Sequence, residues 1–105
     1  MKLYNVVAII LDGEDIVGVS EYAEWYESIL MASTMAQMTY EMLPPHEKEN
    51  HALVVNEWEF EEGTSVYTAN KDKGKYLHAV DLYDKDSMVD VYRVLVTDEE
   101  DIING

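Results

Sequence analysis

The apolar positions in the first half of the chain follow two different patterns. Leu3 to Leu11 is a nearly continuous aliphatic run, which is typical of a central strand covered on both faces. Residues 12–15 have turn composition, and residues 16–19 form a candidate short second strand. Ser20 to about Leu43 is predicted to be one long helix, with Ser20 as its N-cap. Pro44-Pro45 must end that helix, because proline cannot continue it.

The second half of the chain is dominated by strand patterns. Further strands are predicted at residues 51–60, 65–70, 75–83 and 88–96. Lys71-Asp72-Lys73-Gly74 has the composition of a tight hairpin connection, and residues 84–87 form another turn. We therefore predict an α+β fold of β-(β)-α-β-β-β-β order, with one long helix on a mostly antiparallel sheet of about five strands. Residues 1–105 form a single domain in this prediction, and 97–105 a flexible acidic tail.

The predicted helix is apolar on two sides. The side expected to face the sheet carries Tyr22, Trp25, Ile29, Ala32, Ala36, Tyr40 and Leu43. A second stripe, well round from the first, carries Met31, Met35, Met38 and Met42. Methionine is used both as core filler and at adaptable binding surfaces. Three hypotheses follow: the stripe is covered inside the domain, it is a self-association face giving a homodimer, or it is a groove for another partner.

Charge changes the picture most. The chain has 22 Asp and Glu against 7 Lys and Arg, which gives a net charge of −15. This balance predicts repulsion from nucleic acid and from anionic membranes, and attraction toward basic protein surfaces. The absence of cysteine excludes disulfides and thiolate chemistry, and the apolar run that starts at Val6 is too short for a signal peptide or a membrane span. We expect a soluble, cytoplasmic protein.

No residue pattern assembles a catalytic or metal site. His46 and His51 are five residues apart in a predicted loop, whereas zinc-protease histidines are four apart on a helix. A calcium loop that starts at Asp84 would lack the required Gly and the bidentate acid, since Val89 and Leu95 occupy those positions. His78 is interpreted as a structural residue. These patterns favour a protein that is not an enzyme and that uses no cofactor or metal.

The acidic residues also recur in rows along the predicted elements. Glu57 and Glu59 are two apart on one strand, so they share a face ~6.6 Å apart. The candidate partner contacts are Glu57, Glu59, Glu61, Glu62, Asp81, Asp84, Asp86 and Asp90. Because proteins bind DNA by neutralising rows of phosphates, rows of carboxylates can occupy the same basic groove.

In composition, the chain resembles the small acidic anti-restriction, anti-CRISPR and glycosylase-inhibitor proteins of phages and mobile elements, although it carries no motif of a particular family. The resemblance implies a non-enzymatic inhibitor that mimics DNA and binds a nucleic-acid-handling protein, in the host cytoplasm if a phage encodes it. The alternative is a homo-oligomeric interaction or ligand-binding module that uses the methionine stripe, with acidity serving only solubility.

Overall fold

A computed structural model describes residues 1–13 and 15–83 of the chain. In these residues the strands are β1 (Lys2–Asp12), β2 (Asp15–Tyr26), β3 (His51–Glu59) and β4 (Lys75–Tyr83), and the helices are α1 (Ile29–Met42) and α2 (Pro45–Lys48). The strands form one antiparallel sheet in the order β2-β1-β3-β4, with α1 packed on one face. The α+β prediction is therefore confirmed, with four strands among the described residues in place of about five.

The segment between the first turn and the helix differs most from the prediction. Ser20 is not an N-cap: it lies in β2, opposite Ala8 of β1, and the strand continues to Tyr26. Pairing along the whole of β1 outweighs the helix preference of the glutamates in this segment, a tertiary override of local propensity. The helix starts after Ser28, whose hydroxyl accepts a hydrogen bond from the Met31 amide at 3.1 Å.

Residues 65–70 form turns rather than the predicted strand. The Thr68 and Ala69 amides both donate to the Ser65 carbonyl, at 3.1 and 2.9 Å. The predicted hairpin connection at Lys71–Lys73 is a single turn of 3-10 helix, capped by the Asn70 side chain. These turn and cap hydrogen bonds give backbone groups of the segment local partners, so the segment connects β3 to β4 without joining the sheet. The strand predicted at 88–96 and the tail predicted at 97–105 lie outside the described residues.

The helix packs on the sheet through small side chains. Ala32 and Ala36 are fully buried, and Tyr40 is nearly so, against a cluster that includes Val6, Leu53 and Val55. The predicted sheet-facing side of the helix is therefore confirmed at these three positions, together with the partly buried Leu43. Tyr22 and Trp25 belong to β2 instead, and Ile29 is exposed.

The opposite face of the sheet carries a second core. Its aliphatic part contains Val7, Ile9, Ala52, Val54, Ala79 and Leu82. Next to Leu3 lies an aromatic group in which Trp25 makes edge contacts with Trp58 at 5.7 Å and with Phe60 at 5.1 Å between ring centroids. The Trp58 indole donates to the Asn5 side chain at 2.9 Å. The sheet is thus apolar on both faces, as the continuous run of β1 predicts.

Ser33 supplies a test of how closely α1 packs. Its hydroxyl is buried and has no hydrogen-bond partner among the described residues, so its desolvation is not compensated there. We expect Ser33→Ala to raise the free energy of unfolding by about 1 kcal/mol, through lost desolvation and better helix propensity. Denaturant unfolding measures this change.

Thr34→Ala is the matched control, because Thr34 is exposed and its hydroxyl donates to the Leu30 carbonyl at 2.8 Å. It should change stability by less than about 0.5 kcal/mol. A loss of stability in Ser33→Ala would show that the hydroxyl has a partner and would contradict this packing.

Candidate binding surfaces

Glu57 is an internal carboxylate rather than a member of an exposed row. Only 6% of the residue is exposed, and its carboxylate accepts a hydrogen bond from the Tyr4 hydroxyl at 3.1 Å. The Lys2 ammonium lies 3.5 Å away, and the His78 imidazole 3.1 Å away. Glu57 thus ties β3 to β1 on one side and to β4 on the other. The burial corrects the expectation that it offers its charge to a partner, because these neighbours already satisfy it.

The acids that follow Glu57 are accessible but cluster around a cation. The terminal amino group of Met1 lies 3.3 Å from Glu59 and 3.7 Å from Glu62, and it donates to the Phe60 carbonyl at 2.7 Å. Glu61 is exposed beside them. Exposed ion pairs of this kind contribute little to stability. They do reduce the net negative charge that this part of the surface presents.

Of the remaining predicted contacts, one lies among the described residues and three lie outside them. Asp81 is partly buried in β4, and its carboxylate accepts a hydrogen bond from the Leu82 amide at 2.8 Å. The tyrosine that follows, Tyr83, has its pKa raised by burial and by this neighbouring carboxylate. Asp84, Asp86 and Asp90 lie outside the described residues.

The described lysines are distributed unevenly. Four of the five lie near where β1 and β4 begin: Lys2, Lys71, Lys73 and Lys75. Within that part of the molecule, Lys2 compensates Glu57, and Lys71 lies 3.0 Å from Glu21 of β2. We call this half of the sheet the lysine end. Its acids therefore share their surroundings with most of the described cations.

The opposite end of the sheet is strongly anionic. We call this end, which holds the β1–β2 turn and the segment that leads into β3, the hairpin end. Its acids are Asp12, Asp15, Glu47 and Glu49. The Leu11 amide donates to the Asn50 carbonyl at 2.7 Å, which fixes the two segments side by side. The one described lysine there, Lys48, lies 3.7 Å from Glu41 of α1. Sequence reasoning did not single out this group, because strand order is needed to bring it together.

The methionine stripe lies on the outer side of α1. Met31, Met35, Met38 and Met42 are 55%, 38%, 52% and 82% exposed. Within the part of the chain that the structure describes, the stripe is therefore not covered. The sequence predicted the stripe itself, and the structure places it away from the sheet.

His51 and His78 make structural contacts. A ring nitrogen of His51 lies 2.7 Å from the Glu47 carbonyl and 3.0 Å from the Asn50 side chain. His78 bonds to Glu57, in line with its interpretation as a structural residue. Among residues 1–13 and 15–83, no three His, Asp or Glu side chains are arranged to hold a metal ion. None of the described helices has the length and apolar character needed to cross a membrane.

Comparisons with protein-family models, with curated protein sequences and with solved structures give no match to this chain.

The internal role of Glu57 predicts a strong contrast with its neighbour on the same strand. Glu57→Gln removes the charge that Lys2 and His78 share, and we expect it to lower the free energy of unfolding by about 1–3 kcal/mol. Glu59→Gln removes the same charge from an exposed site and should cost less than about 0.5 kcal/mol. Denaturant unfolding of the two variants measures the difference. Equal effects would contradict the internal role.

The raised pKa of Tyr26, in edge strand β2, should make the free energy of unfolding depend on pH. The pKa of Tyr26 is raised to about 12, from an ordinary value of 10.0. Burial is the larger cause, and the hydrogen bond from the Tyr26 hydroxyl to Glu24 is the next. A raised pKa means that the neutral phenol is favoured in the folded state. Its stabilising contribution should therefore be complete below pH 10 and be lost as the pH rises through about 12. Unfolding free energies of the protein and of Tyr26→Phe should converge over that interval, and a constant difference would contradict the assignment.

Proposed function

We propose that this protein is a non-enzymatic acidic binding protein that mimics DNA. It occupies the basic groove of a nucleic-acid-handling protein and blocks it, in the manner of phage and mobile-element inhibitors that act in the host cytoplasm. The observation that carries the proposal is the group of acids at the hairpin end, Asp12, Asp15, Glu47 and Glu49, which have one described lysine, Lys48, among them.

The geometry of the hairpin end suits a cationic groove. Asp12 and Asp15 flank the turn of a two-stranded hairpin, and Glu47 lies in the short helix beside it. Asp12 and Asp15 are cross-strand partners, so their backbones lie about one strand spacing, ~4.8 Å, apart. Duplex DNA presents one charge per ~1.7 Å of axis, and a groove lined with lysine or arginine is built to neutralise such a density.

A rigid scaffold favours this mode of binding. The turn is held by the sheet, and the segment next to it is held by the bond from Leu11 to Asn50. A backbone held in this way needs little further ordering when the partner binds. Association is then steered by the net charge of −15 and releases the counterions of both surfaces.

Binding should weaken steeply with salt and should compete with DNA. The probe is a set of purified DNA-binding enzymes with basic grooves, including restriction and CRISPR nucleases, measured with and without a duplex competitor. We expect at least one enzyme to bind with a dissociation constant that rises about tenfold or more between 50 and 200 mM salt. A flat salt dependence, or simultaneous binding of DNA and this protein, would contradict the proposal.

Two variants with equal net charge locate the contact. The triple variant Asp12→Asn, Asp15→Asn, Glu47→Gln removes three charges from the hairpin end. The control Glu27→Gln, Glu61→Gln, Glu62→Gln removes three from the lysine end. We expect the first to weaken binding about tenfold or more, and the second by less than about threefold. Equal losses would mean that only net charge matters.

A further inference from the structure

The four methionines of α1 have the spacing of a helix-pairing seam. Met31, Met35, Met38 and Met42 are separated by four, three and four residues. This alternation is the a/d spacing of a coiled coil, which keeps apolar side chains on the line where two helices meet. The opposite side of the helix already packs on the sheet through Ala32 and Ala36. The seam is therefore a second apolar side of α1, and it faces away from its own core.

The exposed area of the seam matches the largest apolar patch of an ordinary monomer, which is often functional. From the exposed fractions of the four methionines, the seam presents roughly 400–500 Å², against ~300–600 Å² for such a patch. A standard interface takes ~800 Å² from each partner, so the methionines supply about half of that area and the residues along the borders of the seam supply the rest in a dimer.

The near absence of charge in α1 favours one kind of binding partner for the seam. Glu41 is the only charged residue in α1, and it already lies 3.7 Å from Lys48. A basic partner attracted by the acids of this protein would find one carboxylate within α1, and that carboxylate is already paired. Two copies, each of charge −15, repel one another least where they meet through a face without net charge. Interface cores are likewise depleted of charged residues.

We propose that the methionine seam of α1 is a self-association surface on which a second copy of the chain packs. The two helices pair antiparallel about a two-fold axis, with Met35 and Met38 at the centre and Met31 of each copy near Met42 of the other. This arrangement opposes the helix dipoles and uses one surface on both copies, as a symmetric dimer requires. It is independent of the proposed groove binding.

The test is sedimentation velocity over a range of protein concentrations, at low and at high salt. We expect a reversible monomer–dimer equilibrium that strengthens with salt, because salt screens the repulsion between two anions of the same kind. Binding to a basic groove is expected to weaken with salt, whereas the dimer is expected to strengthen. The opposite salt dependence therefore distinguishes a failure of one proposal from a failure of the other. A protein that stays monomeric at every concentration and salt level would overturn the seam proposal.

Adjacent residues supply a matched pair of variants. Met38→Glu places a charge in the seam, whereas Gln37→Glu places the same charge on an exposed position beside it. We expect the dimer dissociation constant to rise about tenfold or more in Met38→Glu and by less than about threefold in Gln37→Glu. Circular dichroism should show both variants folded, since Met38 is 52% exposed. A dimer that survives Met38→Glu must use another face and would overturn the proposal.

The lack of cysteine allows a second test that does not depend on charge. Met35→Cys mixed with Met38→Cys should form a disulfide-linked dimer under mild oxidation, because these positions oppose each other across the proposed axis. Gln37→Cys should link far more slowly. Equal cross-linking of all three positions, or binding of an unrelated amphipathic helix in preference to a second copy, would overturn the assignment.

Discussion

Repulsion among carboxylates is the constraint under which this chain folds. Its charge of −15 opposes every compact state, so each cation and each apolar contact has to offset that cost. The fold places β1 and β3 at the centre of the sheet with apolar side chains on both faces. Among the described residues one carboxylate is buried, that of Glu57, and it is contacted by Tyr4, Lys2 and His78. Burial of the same carboxylate without these neighbours would cost several kcal/mol.

The same constraint shapes the surface. Four of the five described lysines lie toward one end of the sheet, and the acids at the opposite end have one described lysine among them, Lys48. Helix α1 carries almost no charge on its outer side and is lined there by methionine. The molecule therefore presents two different surfaces: an anionic hairpin end, and an apolar helix face that is nearly free of charge.

The hydrophobic pattern of the sequence predicted the strands and the helix end that follow a simple periodic or continuous apolar pattern. The run from Leu3 to Leu11, the alternation after His51 and the end of α1 before Pro44 all appear near their predicted bounds. Residues 20–26 were predicted as helix because their glutamates and serine suit a helix start. They are strand because β1 has a second edge that must be paired, a requirement that local composition does not express.

The candidate surfaces were predictable to different degrees. The methionine stripe follows from helical period alone, although its exposure depends on which side of α1 faces the sheet. Glu57 and Glu59 have identical chemistry and share a face, yet one is internal and the other is at the rim, because their cross-strand neighbours differ. The hairpin end could not be predicted, since Asp12 and Glu47 become neighbours only through strand order.

The most direct measurement is amide chemical-shift mapping of the folded protein during titration with a short arginine peptide. Such a peptide reports the local potential of each surface without requiring the biological partner. We expect the largest shifts at Asp12, Asp15 and Glu47 and small shifts at Glu59, Glu61 and Glu62. Shifts spread evenly over all acidic residues, or concentrated around Glu59 to Glu62, would contradict the hairpin end as the contact surface of the proposed function.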